Sequence, residues 1–175
     1  MERPLARRVG PRGAWGAGVQ VGPGGSPPVT VGGGGLRGGP VSVPEASAQV
    51  RSAVALAALQ AEGPSLITSP PGFRDHTERW LEDLGLGRRL SEVAFEVAPG
   101  SVPPAEYDVP GDLSSAAYLL VAAALRPGSE VTVRRVTLNP GRTGFLEILA
   151  AAGAHVECRP TGTVHGDPVG DVVVR

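Results

Sequence analysis

The chain has 175 residues, with 16 basic and 17 acidic side chains, and its formal charge of −1 gives no electrostatic ground for a nucleic-acid or anionic-membrane partner. Apolar residues make up 41% and aromatics 4%, so a core has to be built from Val, Leu, Ile and Ala. A single cysteine, Cys158, excludes an internal disulfide and has no Cys/His cluster beside it for a metal, and no stretch reaches the ~20 apolar residues of a membrane-spanning helix.

Every basic residue is Arg, so no step that needs a lysine amine can be carried by this segment. The start, Met1-Glu2-Arg3-Pro4, has no apolar signal core, and a cytoplasmic protein is expected. Residues 10–39 are rich in Gly and Pro. They read as loops with one short strand near 29–31, a composition that a disordered linker shares.

From Pro40 the pattern sharpens. Residues 41–43 alternate as a strand ending at Pro44, and 46–61 read as a helix with Val50, Ala53, Val54, Ala57 and Ala58 on one face, stopped by Gly63-Pro64. A short strand follows at 65–69. A second helix at 75–84 turns Trp80, Leu81 and Leu84 inward and Arg79, Glu82 and Asp83 outward, with Gly85 at its C-terminal cap. A strand at 93–97 completes the unit. The order then recurs: a strand at 107–110, a helix at 113–125 stopped by Pro127-Gly128, a strand at 130–138, a helix at 142–152 before Gly153, and strands at 155–159 and 171–174. Pro44 and Pro110, Gly63 and Gly128, Arg74 and Arg142, and Gly85 and Gly153 fall at offsets of roughly 65–68 residues, the mark of two α/β units in tandem.

Four segments hold residues suited to chemistry. Ser47 and Gln49 stand at a helix start, where free N–H groups and a partial positive charge suit a phosphate or carboxylate; on spacing alone the simpler reading is that Ser47 is an ordinary N-cap and Gln49 a first-turn polar residue. Arg74 precedes the second helix and could fork onto an oxyanion, while Asp75 and Glu78 have the spacing of a capping box. His76 reads as a surface residue, and no nucleophile accompanies it for a triad. Asp112 or Ser114 is placed to cap the third helix and Thr143 the fourth. The glycines form neither a Walker-type nor a dinucleotide fingerprint, which argues against a nucleotide enzyme, and no metal or other cofactor is expected.

At these residues the sequence resembles the EPSP synthase family. Residues 46–53, Ala-Ser-Ala-Gln-Val-Arg-Ser-Ala, resemble its A-S-A-Q-V-K-S-A segment; residues 74–79 match R-D-H-T-E-[KR]; residues 109–117 resemble V-P-G-D-x-S-S-A-A. Residues 138–144 resemble L-N-P-T-R-T-G, residues 153–157 resemble G-A-D-I-E, and Arg3-Pro4-Leu5 resembles R-P-M. The resemblance implies an α/β fold of tandem βαβαββ units, an incomplete part of the pseudo-threefold inverse α/β barrels of enolpyruvyl transferases. Residues 1–105 would belong to one domain and 106–175 to the other, with the crossover near 105–111. It also implies transfer of the enolpyruvyl group of phosphoenolpyruvate to the 5-hydroxyl of shikimate 3-phosphate, without a cofactor and in a usually monomeric protein.

By the same resemblance Ser47, Ala48, Gln49 and Arg74 contact shikimate 3-phosphate and Arg3 contacts phosphoenolpyruvate, while no catalytic residue falls within the chain. The family's G-D-K-S segment would lie before Met1, and its catalytic carboxylates and K-E-S-D-R segment after Arg175, so the chain alone is expected to give no turnover. Three departures stand out. Phe73 replaces the family's Ser or Thr; Arg51 replaces its Lys, a change that solvation would make tolerable; and Pro11, Gly13 and Gly16 interrupt a helix expected at 9–18. Alternatives of other kinds are a non-catalytic, anion-binding remnant of the fold and a UDP-N-acetylglucosamine enolpyruvyltransferase, against which the Ser-Ala-Gln and Arg-Asp-His-Thr-Glu residues speak. An RNA-cyclase relative fits less well at this near-neutral charge.

Overall fold

A computed structural model describes residues 15–32 and 34–175; Arg3 and most of the helix expected at 9–18 lie outside them. By contact the described chain divides into two compact units, one of residues 15–73 and 81–103, the other of 74–80 and 104–175.

The first unit opens with a hairpin in which β1 (Gly18–Val21) pairs antiparallel with β2 (Val29–Gly32). A loop had been expected over the first of these strands. The alternation of Gly18-Val19-Gln20-Val21 matches that of Val29-Thr30-Val31-Gly32 across the ladder, and pairing overrides the glycine content. Along the chain then come β3 (Gly39–Ser42), α1 (Ala48–Ala58), β4 (Ser65–Thr68), α2 (His76–Asp83, of which residues 76–80 group with the second unit), β5 (Gly87–Arg89) and β6 (Ala94–Val97), in a βαβαββ order. Their sheet runs β3-β4-β6-β5, with β3 and β4 parallel and the other pairs antiparallel.

Period-two burial fixes the registers: Ile67 on β4 and Phe95 and Val97 on β6 point into a core that Val41, Val43, Val50, Val54 and Leu81 complete. The polar strand β5 carries no apolar alternation and was not foreseen. It forms because Gly87 lets the Phe95 ring lie against the backbone: a Cβ there would fall 2.4 Å from Phe95 Cζ.

The second unit repeats the order. It has α3 (Leu113–Ala124), β7 (Val131–Thr137), α4 (Gly144–Ala151), β8 (Val156–Val164) and β9 (Asp167–Val174), with sheet order β7-β9-β8. The strand expected at 107–110 does not form. Pro110 has no N–H to give to a ladder, and pairing is confined to Gly111, which donates to Arg135 O (2.8 Å) and accepts from Thr137 N (3.0 Å). That bridge is parallel to β7, as β3 is to β4, so the second unit keeps the topology with its first strand reduced to one residue.

β8 and β9 are longer than the sequence pattern indicated. They are joined by a two-residue turn at His165 (φ 50°) and Gly166 (φ 75°), the left-handed pair that a type I′ hairpin requires. The core is Leu113, Leu120, Val136, Leu146, Val172 and Val174.

Both helices of this unit also carry apolar side chains in solvent: Tyr118 is 83% exposed, Leu125 79%, Ile148 71% and Leu119 59%. Helix α3 is therefore apolar on two faces, only one of which the unit covers. The isolated chain is expected to self-associate through this face. In sedimentation velocity the apparent mass should rise with concentration, and Leu119→Glu combined with Leu125→Glu should shift the distribution to monomer. A monodisperse wild-type monomer with a sharp cooperative melt would contradict this.

Candidate anion site and a buried polar network

The start of α1 carries Ser47, Ala48 and Gln49 in consecutive positions. Ser47 is the N-cap, in extended conformation, and its hydroxyl accepts from Val50 N at 3.5 Å, a long bond. Its carbonyl accepts from Arg51 N at 3.0 Å, closing the first turn. That turn holds no acidic residue, and Gln49 is exposed. The cap of this helix start is thus a neutral hydroxyl, and its partial positive charge meets no carboxylate within the first turn.

The start of α3 is the opposite case. Asp112 caps it with a carboxylate that accepts from Ser114 N (3.1 Å), Ser115 N (3.2 Å) and Ser115 Oγ (2.8 Å). These bonds, the Ser115 hydroxyl first, hold the Asp112 carboxyl below its ordinary value of 3.8. Of the two candidates for this cap, Asp112 takes the role, and Ser114 Oγ accepts instead from Arg142 Nη1 at 2.6 Å. Thr143 stands at the N-cap of α4, where its carbonyl accepts from Leu146 N at 2.9 Å and its side chain makes no cap bond.

Beneath the first turn of α1 lies Arg51. Solvation, the condition on which the change from Lys was tolerable, is not met: Arg51 is 1% exposed, donates from Nη1 to Ser69 Oγ at 2.6 Å, and lies over the Phe73 ring 4.1 Å from its centroid.

In the second unit Arg74 sits just before α2. Its Cα and Cγ fill the space left by Gly141, where a Cβ would come within 3.3 Å of both atoms. Among the described residues its side chain makes no hydrogen bond or ion pair. Ser47, Ala48 and Gln49 come together on one helix end, and Arg74 stands in the other unit.

Behind Arg74 is a network that sequence reasoning missed. Asn139 is fully buried; its amide donates to Asp75 Oδ1 and to Asp167 Oδ1, both at 2.7 Å, and accepts from Gly141 N at 2.9 Å. Its backbone N–H goes to Thr137 Oγ1 at 3.3 Å. His76, expected at the surface, is half-buried with Nδ1 2.5 Å from Asp167 Oδ2. Arg79, expected to point outward, returns to Asp75 Oδ1 at 2.9 Å. The Asp75 carboxylate is engaged by the Arg79 and Asn139 side chains, and Glu78 is 2% exposed. Next to the network is a cavity of about 360 Å³ walled by Trp80, Tyr107, Pro110, Val164, His165 and Asp167, in which Trp80 and Tyr107 meet edge to face at 5.7 Å. The one signal in the sequence was Asn139-Pro140, which read as a turn; its partners lie 28 and 64 residues away in the chain.

Two predictions test this chemistry. Asn139→Ala leaves two carboxylates short of a donor and should lower the unfolding free energy by about 2–4 kcal/mol in urea titration. Asn139→Asp should cost more at neutral pH, a deficit that narrows as pH falls through the carboxylate range. At Asp112 the folded carboxyl titrates below 3.8, so its stabilisation is present above that value and is lost as pH falls below it through the lower folded value. Asp112→Ala should remove about 1 kcal/mol at pH 7. Asp112→Asn should keep most of the cap and flatten the acid limb of the stability curve.

The family model described as EPSP synthase (3-phosphoshikimate 1-carboxyvinyltransferase) matches residues 1–173. A 3-phosphoshikimate 1-carboxyvinyltransferase of Syntrophomonas wolfei subsp. wolfei is 41% identical over 175 residues, covering 99% of this chain and 41% of that protein. One of Anaeromyxobacter dehalogenans is 45% identical over 174 residues, with 99% and 40% covered. A solved EPSP synthase of Acinetobacter baumannii superposes with a TM-score of 0.85 at 38% identity, covering 99% of this chain and 40% of that one. The chain spans about two fifths of the length of the curated relatives it matches.

Proposed function

Because this chain belongs to the EPSP synthase family, with the family's mixed α/β fold, we propose that it is the substrate-binding portion of an enzyme that transfers the enolpyruvyl group of phosphoenolpyruvate to the 5-hydroxyl of shikimate 3-phosphate, releasing phosphate. The observation that carries the reading is the start of α1, where Ser47-Ala48-Gln49 stands on a positive helix end that no carboxylate in the first turn neutralises. Shikimate 3-phosphate and phosphoenolpyruvate are both anions, and such an end holds an oxyanion with backbone N–H groups already in place.

Ser47, Ala48 and Gln49 bind shikimate 3-phosphate in this reading, the hydroxyl and amide as neutral donors and Ala48 through its backbone. Arg74 binds the same substrate with a guanidinium that no described neighbour occupies. Arg3 binds phosphoenolpyruvate. Residues 1–105 and 106–175 belong to different domains of the whole enzyme in this reading; the passage from one compact unit to the other at Pro103 and Pro104 supports the division, and the grouping of residues 74–80 with the second unit departs from it.

The acid–base steps, protonation of the methylene carbon and deprotonation of the 5-hydroxyl, fall to groups outside these residues. The sequence has no Lys, and among the described residues no carboxylate lies in the first turn of α1. The 175 residues alone bind and orient, and give no turnover. A cytoplasmic setting and independence of membranes and nucleic acid go with this reading, and no described helix is long and apolar enough to cross a membrane.

Calorimetric titration of the chain with shikimate 3-phosphate tests the proposal. Saturable binding is expected. Ser47→Ala and Gln49→Ala should each weaken it roughly three- to tenfold, and Arg74→Ala roughly ten- to hundredfold, as neutral and charged hydrogen bonds differ. No binding by the wild type, or equal binding by all four proteins, would overturn the assignment.

A further inference from the structure

Two motif positions at which the sequence departs from the family pattern it resembles, Arg51 and Phe73, lie in contact. We propose that they act as one positioning unit that fixes the anion-facing start of α1, with Arg51 as the positioning residue and Phe73 as its platform; this rests on the assignment of Ser47, Ala48 and Gln49 to substrate binding.

The connection is short. Arg51 is the fourth residue of α1, and its backbone N–H holds Ser47 O at 3.0 Å, so its position sets that of the cap. Its side chain leaves the first turn for the segment after β4. There Nη1 donates to Ser69 Oγ at 2.6 Å, and Ser69 in turn donates to Pro70 O at 3.1 Å. Ser69 is itself buried, and its backbone N–H is bonded to Val93 O at 3.0 Å, which ties it to the β6 side of the sheet. The guanidinium carbon Cζ then lies over the Phe73 ring, 4.1 Å from its centroid, and Phe73 is the residue directly before Arg74. Arg51 therefore fastens the helix turn that carries Ser47–Gln49 to residues 69–73.

Arg suits this place and Lys does not. A guanidinium presents a flat face to a ring and donors at its edge together, whereas an ammonium is a compact point charge that gives up the stack to keep the hydrogen bond. Ser or Thr at position 73 would offer an ammonium an oxygen; Phe offers a guanidinium a face. The arrangement also puts a cation, 1% exposed, within the first turn of a helix whose positive end receives the anion, where reduced solvent screening strengthens its effect.

The test is a double-mutant cycle on the full 175-residue chain, with Arg51→Lys, Phe73→Ser and the two combined, and shikimate 3-phosphate as the probe in calorimetry. Each single variant should raise Kd roughly tenfold, and the double variant should return to within about threefold of wild type, a rescue that loss of fold stability would not give. Circular dichroism checks that each variant is folded. Wild-type affinity in Arg51→Lys, or a double variant that loses the product of the two single effects, would overturn this inference alone. Failure of the wild-type chain to bind would overturn the substrate assignment, and the inference with it.

Discussion

The unsatisfied N–H groups at a helix start are the constraint on which both structure and function turn. Two helices of this protein meet it in different ways. At α3 the sequence supplies its own anion: Asp112 takes two backbone N–H groups and a serine hydroxyl, and the end is electrostatically closed. At α1 the cap is the Ser47 hydroxyl at a long 3.5 Å, with no acid in the first turn and a buried Arg51 just behind. A helix built in this way gives up some stability of its own and leaves a positive end that an external oxyanion can complete. The same topological unit, used twice, thus provides one start capped by a carboxylate and one capped by a neutral hydroxyl.

Polar groups in the interior hold these elements in place, and they do so by being fully engaged. Asn139 uses both amide hydrogens on carboxylates and its oxygen on a backbone N–H, so three segments far apart in sequence converge on one side chain. Arg51 does the corresponding work in the first unit through a hydroxyl and a ring face. Apolar burial of Val, Leu and Ile alone would permit slippage of the segments that carry Ser47 or Arg74; hydrogen bonds of fixed direction do not. The low aromatic content adds to the weight on these contacts, since Phe95, Phe73, Trp80 and Tyr107 each have a defined partner in place of a general aromatic core.

Much of the fold could be read from the sequence because its signals are local. Helices α1 to α4 follow from apolar spacing with breakers such as Gly63 and Pro127, and the repeat of the α/β unit follows from landmarks at similar offsets. Non-local terms decided the rest. Strand β5 exists only as the partner of β6, and β1 only as the partner of β2, so neither shows in its own composition. The segment 107–110 had β-forming residues, yet Pro110 withholds the donor that pairing needs. At the site, Ser47 and Gln49 were legible as a helix start. The burial of Arg51 was not, since nothing in Gln-Val-Arg-Ser shows that Ser69 and Phe73 will close over it. His76 and Asp167, 91 residues apart, could not be paired by any local rule.

The most direct measurement of the central claim, that the open start of α1 receives the substrate's phosphate, is a ¹⁵N–¹H correlation titration of the chain with shikimate 3-phosphate. Saturable shifts in the amides of Ser47, Ala48, Gln49 and Val50, with a matching response at Arg74 and weaker shifts at the same α1 amides under inorganic phosphate, are the expected result. Unmoved α1 amides, or shifts confined to the cavity of Trp80, Tyr107 and His165, would contradict it.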